Sequence, residues 1–391
     1  MRVWKEVYYI STKNLLKLDN GKESTISCQA INQYTKNIKQ IKDRRAWKTE
    51  GAGAMFMGTA QAEQDDFDAI YPTAIAFMDD NTYVYSARLQ EGTAIQSKPI
   101  GSDTASEGLI LRKSDFQVFD LCYDSTNKRI IASASDTSYA SPYGERHLCV
   151  LSLDSARTQF VTEGECQDKN PSVDPNNSTV IYYDSCGLAY TQDNVVFSPR
   201  QVNRLDLATG ELETVLADDK FDYFAPIMDT QGNLYAIRRP YREHDSTDPV
   251  GTAKDLLTAP FKILKAIVGW LDFFTKRYSG ESLKTSGANP ARTKPKSEEE
   301  LFIEGNLVKA DKNLLKNQAD GEKFAGFIPK SWELIKCLPT GEIQIIKKGV
   351  MAYCLADDDV VISNGKSIVK ITNGQEELIA HAPKVAKLMW V

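Results

Sequence analysis

Histidine is nearly missing from this chain, with three in 391 residues, at His147, His244 and His381. None stands in HxH or HExxH spacing, so no local metal-binding motif is present and the metal expectation is none. Cysteine occurs seven times (Cys28, Cys122, Cys149, Cys166, Cys186, Cys337, Cys354) but never as CxxC. An odd, scattered set with several members inside apparent strands reads as reduced thiols packed as small hydrophobes. GxSxG, GxxxxGK[ST] and GxGxxG are absent, which removes the nucleophile elbow and the common phosphate cradles. No apolar run approaches the ~20 residues that span a bilayer. The opening MRVWKEVYYISTKN has no apolar signal core and no small-residue cleavage site, so the expected compartment is the cytoplasm. Basic charge is not in excess: 47 Lys and Arg stand against 53 Asp and Glu, net −6. That balance argues against a general nucleic-acid binder.

What is present is β-hairpin chemistry, repeated. VNRLDLATGELETVL, NLLKLDNGKESTI, LCVLSLDSARTQFV, LIKCLPTGEIQII and SIVKITNGQEELI each join two short apolar-alternating runs through a turn. Gly21, Gly210, Gly341 and Gly374 fill the turn, with Ala156-Arg157 in the fifth copy. Asn-Gly and Thr-Gly supply the positive φ that tight hairpins require. Upstream of most copies runs an apolar stretch, an aspartate, a polar turn and a β-branched or aromatic strand. The aspartates are Asp79, Asp124, Asp174, Asp229 and Asp357, the first four spaced by 45, 50 and 55 residues. They are expected to bond their own turn backbone.

Periods near 40–50 residues with about four strands each mark propeller blades. In AFMDDNTYVYSAR, PSVDPNNSTVIYYDS and APIMDTQGNLYAIRR the chain resembles the TolB-like, WD-repeat-like β-propellers, whose blades carry an SPDGxxIaf-like hairpin. The resemblance implies an all-β, six-bladed disc, with five or seven blades as the neighbouring counts, and is unspecific for function.

With the four strands of a blade named A to D, the aspartate turn joins A to B and the glycine turn joins C to D. The N-terminus begins at a B strand (VYYIS), and the C-terminus carries a spare strand, KVAKLMWV, expected to fill the missing A position and close the disc. Such closure removes open edges. The second blade lacks a glycine turn, and GLILRKS and FQVFD are assigned as its C and D strands.

Antiparallel alternation puts A–B and C–D turns on one rim and B–C loops and D–A connections on the other. The long excursions are 29–73, expected as a loop insertion between blades 1 and 2, and 240–331 within blade 5. With the B–C loops near 90–107, 137–146 and 187–200, they are expected on the B–C/D–A rim, where binding is expected to reside. Within 31–50, Lys36, Lys39, Lys42, Arg44, Arg45 and Lys48 with Tyr34 and Trp47 form a basic stretch. It is read as a solvated loop or acidic-partner contact in preference to a grip on single-stranded nucleic acid. Leu257, Phe261, Leu264, Val268 and Leu271 follow 3-4 spacing, widened by Ile263, Ile267, Trp270 and Phe274. This predicts an amphipathic helix over about 252–278, followed by a flexible Ser/Pro/Gly-rich segment over about 279–300. Its apolar face would suit its own propeller, a protein partner or, less readily, a membrane surface.

The candidate partner-binding residues are Arg238, Arg239, Tyr241, Arg242 and His244, which leave a strand toward the loop rim, with Phe261, Trp270 and Phe274 on the helix. Arg and Tyr are enriched at binding hot spots. No catalytic residue is assigned. The resulting expectation is a non-catalytic intracellular scaffold for a protein partner. Resemblance to gluconolactonase- and paraoxonase-like propellers implies one alternative, a metal-dependent hydrolase with a divalent cation in the central channel. Another is a regulatory propeller subunit of a multi-subunit ATPase or peptidase system.

Overall fold

The protein is described here by a computed structural model over residues 6–19, 21–49, 70–101, 107–136, 144–155, 157–190, 195–241, 300–303, 306–356 and 359–390. Blade I opens with β1 (Val7–Ser11), β2 (Asn14–Asp19) and β3 (Lys22–Thr25), and helix α1 (Gln29–Thr49) follows. Blade II is β4 (Tyr71–Asp79), β5 (Thr82–Leu89), β6 (Gly92–Pro99) and β7 (Gly108–Ser114). Blade III is β8 (Phe116–Asp124), β9 (Arg129–Asp136), β10 (His147–Ser152) and β11 (Thr158–Phe160). Blade IV is β12 (Cys166–Asp174), β13 (Asn177–Tyr190) with the short β14 (Val195–Phe197) folded back on it, β15 (Gln201–Asp206) and β16 (Leu212–Leu216). Blade V begins with β17 (Phe221–Met228) and β18 (Leu234–Pro240). After a hairpin of β19 (Glu300–Ile303) and β20 (Asn306–Lys309) and helix α2 (Ala310–Ala319), it resumes with β21 (Glu333–Cys337) and β22 (Ile343–Lys348). Blade VI is β23 (Ala352–Ala356), β24 (Asp359–Ser363), β25 (Ile368–Thr372) and β26 (Gln375–Ala380). The last strand, β27 (Val385–Trp390), pairs antiparallel with β1, Val7 opposite Trp390 and Tyr9 opposite Leu388, and is the A strand of blade I. The fold is a six-bladed β-propeller.

The B strands read as unbroken apolar runs because both of their faces are covered. Tyr8 packs between blades I and II while Tyr9 packs between VI and I. Ile130 and Ile131 likewise point to opposite neighbours, blade II and blade IV. With a period of two, adjacent residues in a strand serve adjacent seams. The core is accordingly divided into six inter-blade clusters, one per seam. A seventh small cluster, Ile70, Leu89 and Ala94, is covered by Ile31, Tyr34 and Ile38 of α1.

The five glycine-type hairpins of the sequence are the C–D pairs of blades I, III, IV, V and VI. The Asn373-Gly374 turn has φ of 49° and 78°, the pair of positive values that a two-residue I′ hairpin needs. Blade II departs from expectation. Its C strand is β6, GLILRKS is its D strand, and FQVFD opens the A strand of blade III. The strand GTAIQSKP carries a lysine at a position the sheet buries. Lys98 is in fact buried, its ammonium bonded to the Ser27 carbonyl and 3.6 Å from the Glu107 carboxylate. It follows that residues 90–91 are a tight B–C turn, and the excursion 100–107 lies on the opposite rim from the one expected.

Residues 29–49 are helical where a solvated loop was expected. Their larger apolar residues at 31, 34, 38 and 41 fall on one face of a helix, with Ile41 half exposed. The helix start is fixed from another blade: Glu107 accepts the free backbone N–H groups of Gln29 at 2.8 Å and Ala30 at 3.0 Å. A carboxylate there satisfies two orphan donors and complements the helix dipole. The sequence-predicted helix at 252–278 and the segment 279–300 lie outside the described residues. The return from the insertion is seated on blade VI, where the Phe327 ring occupies the space a side chain at Gly365 would need.

Candidate functional site

Local sequence prepares the channel. Asn170-Pro171 and Ala225-Pro226 each place a proline inside an A strand, where it cannot donate to the ladder, and both strands bulge there. Asn170 and Ala225 take φ of 49° and 53°. The bulges turn side chains and backbone toward the axis, where the A strands of neighbouring blades meet.

The groups so presented form one continuous polar chain. Lys387, from the closing strand β27, reaches across to the Asp120 carboxylate on β8 and donates to Asn170 Oδ1 at 2.7 Å. Asn170 Nδ2 donates to Asp184 Oδ1 at 2.6 Å, and the Ala225 N–H donates to the same oxygen at 2.9 Å. Asp184 Oδ2 takes the Arg200 guanidinium at 2.6 Å. The backbone N–H of Arg200 donates to Asp222 Oδ1 at 2.9 Å, and Arg239 Nε donates to Asp222 Oδ2 at 2.9 Å. The Arg239 guanidinium also lies 4.8 Å from the ring centroids of both Phe224 and Trp332. Asp120, Asp184 and Asp222 are thus matched by Lys387, Arg200 and Arg239, joining blades I, III, IV and V. Burial pushes the Asp120 carboxyl above its ordinary range, against the pull of the Lys387 ammonium.

Of the eight candidate partner-binding residues, three are described, and all three lie where β18 leaves the sheet on the B–C/D–A rim. Arg239 is 4% exposed and committed to Asp222. Arg238 pairs with Glu333 at 2.6 Å and lies over the Phe221 ring at 5.0 Å. The Tyr241 hydroxyl donates to the Phe197 carbonyl at 2.6 Å, tying the exit of β18 to β14. Arg242, His244, Phe261, Trp270 and Phe274 lie outside the described residues. Sequence reasoning missed Lys387, Asp120, Asn170, Asp184, Arg200 and Asp222. The available signals were the Asn-Pro and Ala-Pro steps inside strands, and the aspartate within the buried run VIYYDS.

A second cluster, His147, Cys166 and Asp168, sits at the same rim where β10 and β12 begin. It is not arranged as a thiol nucleophile. Burial first, and then the Asp168 carboxylate, push the Cys166 thiol up to about 12. Asp168 also lies toward the same Nδ1 that faces the sulfur, so it cannot orient the ring from the far nitrogen.

No family model matches this sequence, and no curated protein matches it. Solved structures do resemble it. TolB from Acinetobacter baumannii is 9% identical with a TM-score of 0.49, over 100% of this chain and 67% of that one. The tricorn protease is 10% identical with a TM-score of 0.46, over 99% of this chain and 34% of that one. A protein from Lactobacillus plantarum is 9% identical with a TM-score of 0.41, over 99% of each chain. At these identities the likeness concerns the fold alone.

Proposed function

We propose that this chain is a non-catalytic, intracellular propeller scaffold that binds a protein partner through its B–C/D–A rim. The supporting observation is where the elaborations arise. The excursions at 26–70, 137–146, 191–200 and 241–332 all leave from that rim, and 100–107 alone among the long ones leaves from the other. Helix α1 presents exposed Lys36, Lys39 and Arg44, which suit an acidic protein surface. Arg238 and Tyr241 stand at the exit of β18, and the sequence-predicted helix at 252–278 belongs to the excursion that starts there. Seven free cysteines are in keeping with a reducing compartment. Among the described residues, no helix is long and apolar enough to cross a membrane.

The alternative, a lactonase-like hydrolase, needs oxygen ligands in the channel that are free for a divalent cation. Here the Lys387 ammonium engages Asp120 and Asn170, two of the groups such a cation would use. This favours the scaffold. The regulatory-subunit reading is a special case of it, with the ATPase or peptidase as partner.

The test is affinity capture with the full chain, with a Lys36→Glu/Lys39→Glu/Arg44→Glu variant, and with a deletion of 252–300. A partner held by the full chain and lost from either altered chain is expected. The same proteins captured by all three would overturn the assignment to this rim, and chelator-sensitive lactone hydrolysis would overturn the non-catalytic reading.

A further inference from the structure

We propose that His147 Nδ1, Cys166 Sγ and Asp168 Oδ2 form a three-ligand site for a divalent cation of the zinc class, at the seam between blades III and IV. The inference is independent of the scaffold reading. Its first support is geometric. The sulfur lies 3.7 Å from His147 Nδ1 and 3.6 Å from Asp168 Oδ2, and the nitrogen and oxygen are 4.0 Å apart. Ligand atoms about 2.0–2.3 Å from a tetrahedral zinc lie about 3.3–3.6 Å from one another. The triangle therefore already has nearly the dimensions of one face of such a site, and small side-chain rotations close the difference.

The second support is electrostatic. Asp168 is 2% exposed, and the only cationic group within ion-pair distance among the described residues is the His147 ring. A buried carboxyl whose only charged neighbour is an imidazole has no permanent counter-charge. A bound cation would supply it. The neighbouring protein groups already fix the carboxylate: the Thr162 hydroxyl donates to Asp168 Oδ2 at 2.5 Å while accepting the Leu148 N–H at 2.8 Å. Outer hydrogen bonds of this kind orient metal ligands and hold their affinity.

The donor set decides the cation class. Thiolate and imidazole select zinc-like ions over magnesium or calcium, which take oxygen. Binding would release the thiol proton to solvent and form the sulfur–metal bond, with no redox change. Three protein ligands leave a fourth position for water or an incoming side chain. The chain order hides the site, because the histidine opens a C strand and the Cys-x-Asp opens the next blade's A strand.

The probe is Co²⁺ added to the full-length protein after chelator treatment and dialysis, followed by competition with Zn²⁺. One Co²⁺ per chain is expected, with a near-ultraviolet thiolate-to-cobalt band that Zn²⁺ removes. Cys166→Ser should abolish the band, and His147→Ala should weaken binding by more than the about 10–100-fold typical of an outer-shell change. Thr162→Val should weaken it about tenfold and keep the band. Cys186→Ser, at a nearby thiol outside the triangle, should leave affinity and band intact. Should the ligand variants fail to fold, the unaltered protein still decides: Zn²⁺ should raise its thermal midpoint where Mg²⁺ does not. Absence of the band, or a band that survives Cys166→Ser, would overturn the proposal, as would a midpoint indifferent to Zn²⁺.

Discussion

The two rims of the disc hold their turns by different means. On the A–B/C–D rim the described A–B aspartates bond to their own hairpins, and Asp357 lies outside the described residues. Asp79 accepts the Asn81 N–H, Asp174 that of Asn176, and Asp229 those of Gln231 and Asn233, all at 2.8–2.9 Å. Asp124 does the same for Thr126 and Asn127 at 3.1 Å. On the B–C/D–A rim and in the channel beneath it, carboxylates bond to residues far away in the chain. Asp184 gathers Asn170, Arg200 and Ala225, and Asp222 gathers Arg200 and Arg239. The first rim is held chiefly within each turn, although Asn127 and Arg129 also reach Ser178 of the next blade and Asn176 reaches the Asp229 carbonyl. The other couples blades through buried charge, so a change at one position is felt several strands away.

The largest expected effect tests that coupling. Arg200→Met would leave the Asp184 carboxylate, which is fully buried, without its cation. Removing one member of a buried pair costs roughly 3–5 kcal/mol, whereas removing both charges together is far milder. Urea unfolding should therefore show a large loss of stability in Arg200→Met and partial recovery in Arg200→Met/Asp184→Asn. A single variant as stable as the parent would erase the distinction between the rims.

A middle-sized effect is expected at the exception. Glu107 ends the one long C–D excursion, yet it acts across blades by holding the start of α1. It also accepts a hydrogen bond from the Tyr85 hydroxyl at 2.6 Å. Glu107→Ala should cost about 1–2 kcal/mol for the lost helix cap and dipole partner, and more because it leaves the buried Lys98 ammonium with the Ser27 carbonyl but no carboxylate. Faster proteolysis within 29–49 and a weaker far-ultraviolet helical signal would register it. If α1 stays as protected as before, its hold comes from Ile31, Tyr34 and Ile38 instead.

The same division explains what could be read from sequence. Turn chemistry is local, so the hairpins at Gly210 and Gly374 and the aspartate turns announced the blades, their number and the strand pairing. The blade II assignment slipped by one strand because Lys98 is a buried lysine, and a lone sequence cannot distinguish that from a solvated one. Helix α1 differs from the expected loop because its apolar stripe is sparse among charged residues and its cap, Glu107, lies a whole blade further on. The candidate site was legible in part. Arg238, Arg239 and Tyr241 do fall on the loop rim, but the partners that define their surroundings, Asp222, Glu333 and the Phe197 carbonyl, come from other strands. A charge chain assembled by strand bulges has no sequence period.

The smallest effect belongs to the local rim, at Asp206 in the C–D turn of blade IV. Its carboxylate accepts the Ala208 N–H at 2.8 Å, and that bond, the largest influence on it, holds the carboxyl below its ordinary range. A folded-state pKa below the unfolded one favours the ionised form in the folded protein. The contribution is therefore present above the ordinary carboxylate value and disappears as pH falls through the depressed one. Asp206→Asn keeps an oxygen for Ala208 but removes the charge. It should lower stability slightly at neutral pH and converge with the parent in acid. Unlike Arg200→Met, it should do so without altering the dependence of stability on any residue of another blade, because its partners, the turn N–H groups and the Thr179 side chain, lie within its own blade. Non-additivity between Asp206→Asn and Arg200→Met in a double-mutant cycle would show that even this rim is wired to the channel, and the contrast between the two would then be one of degree.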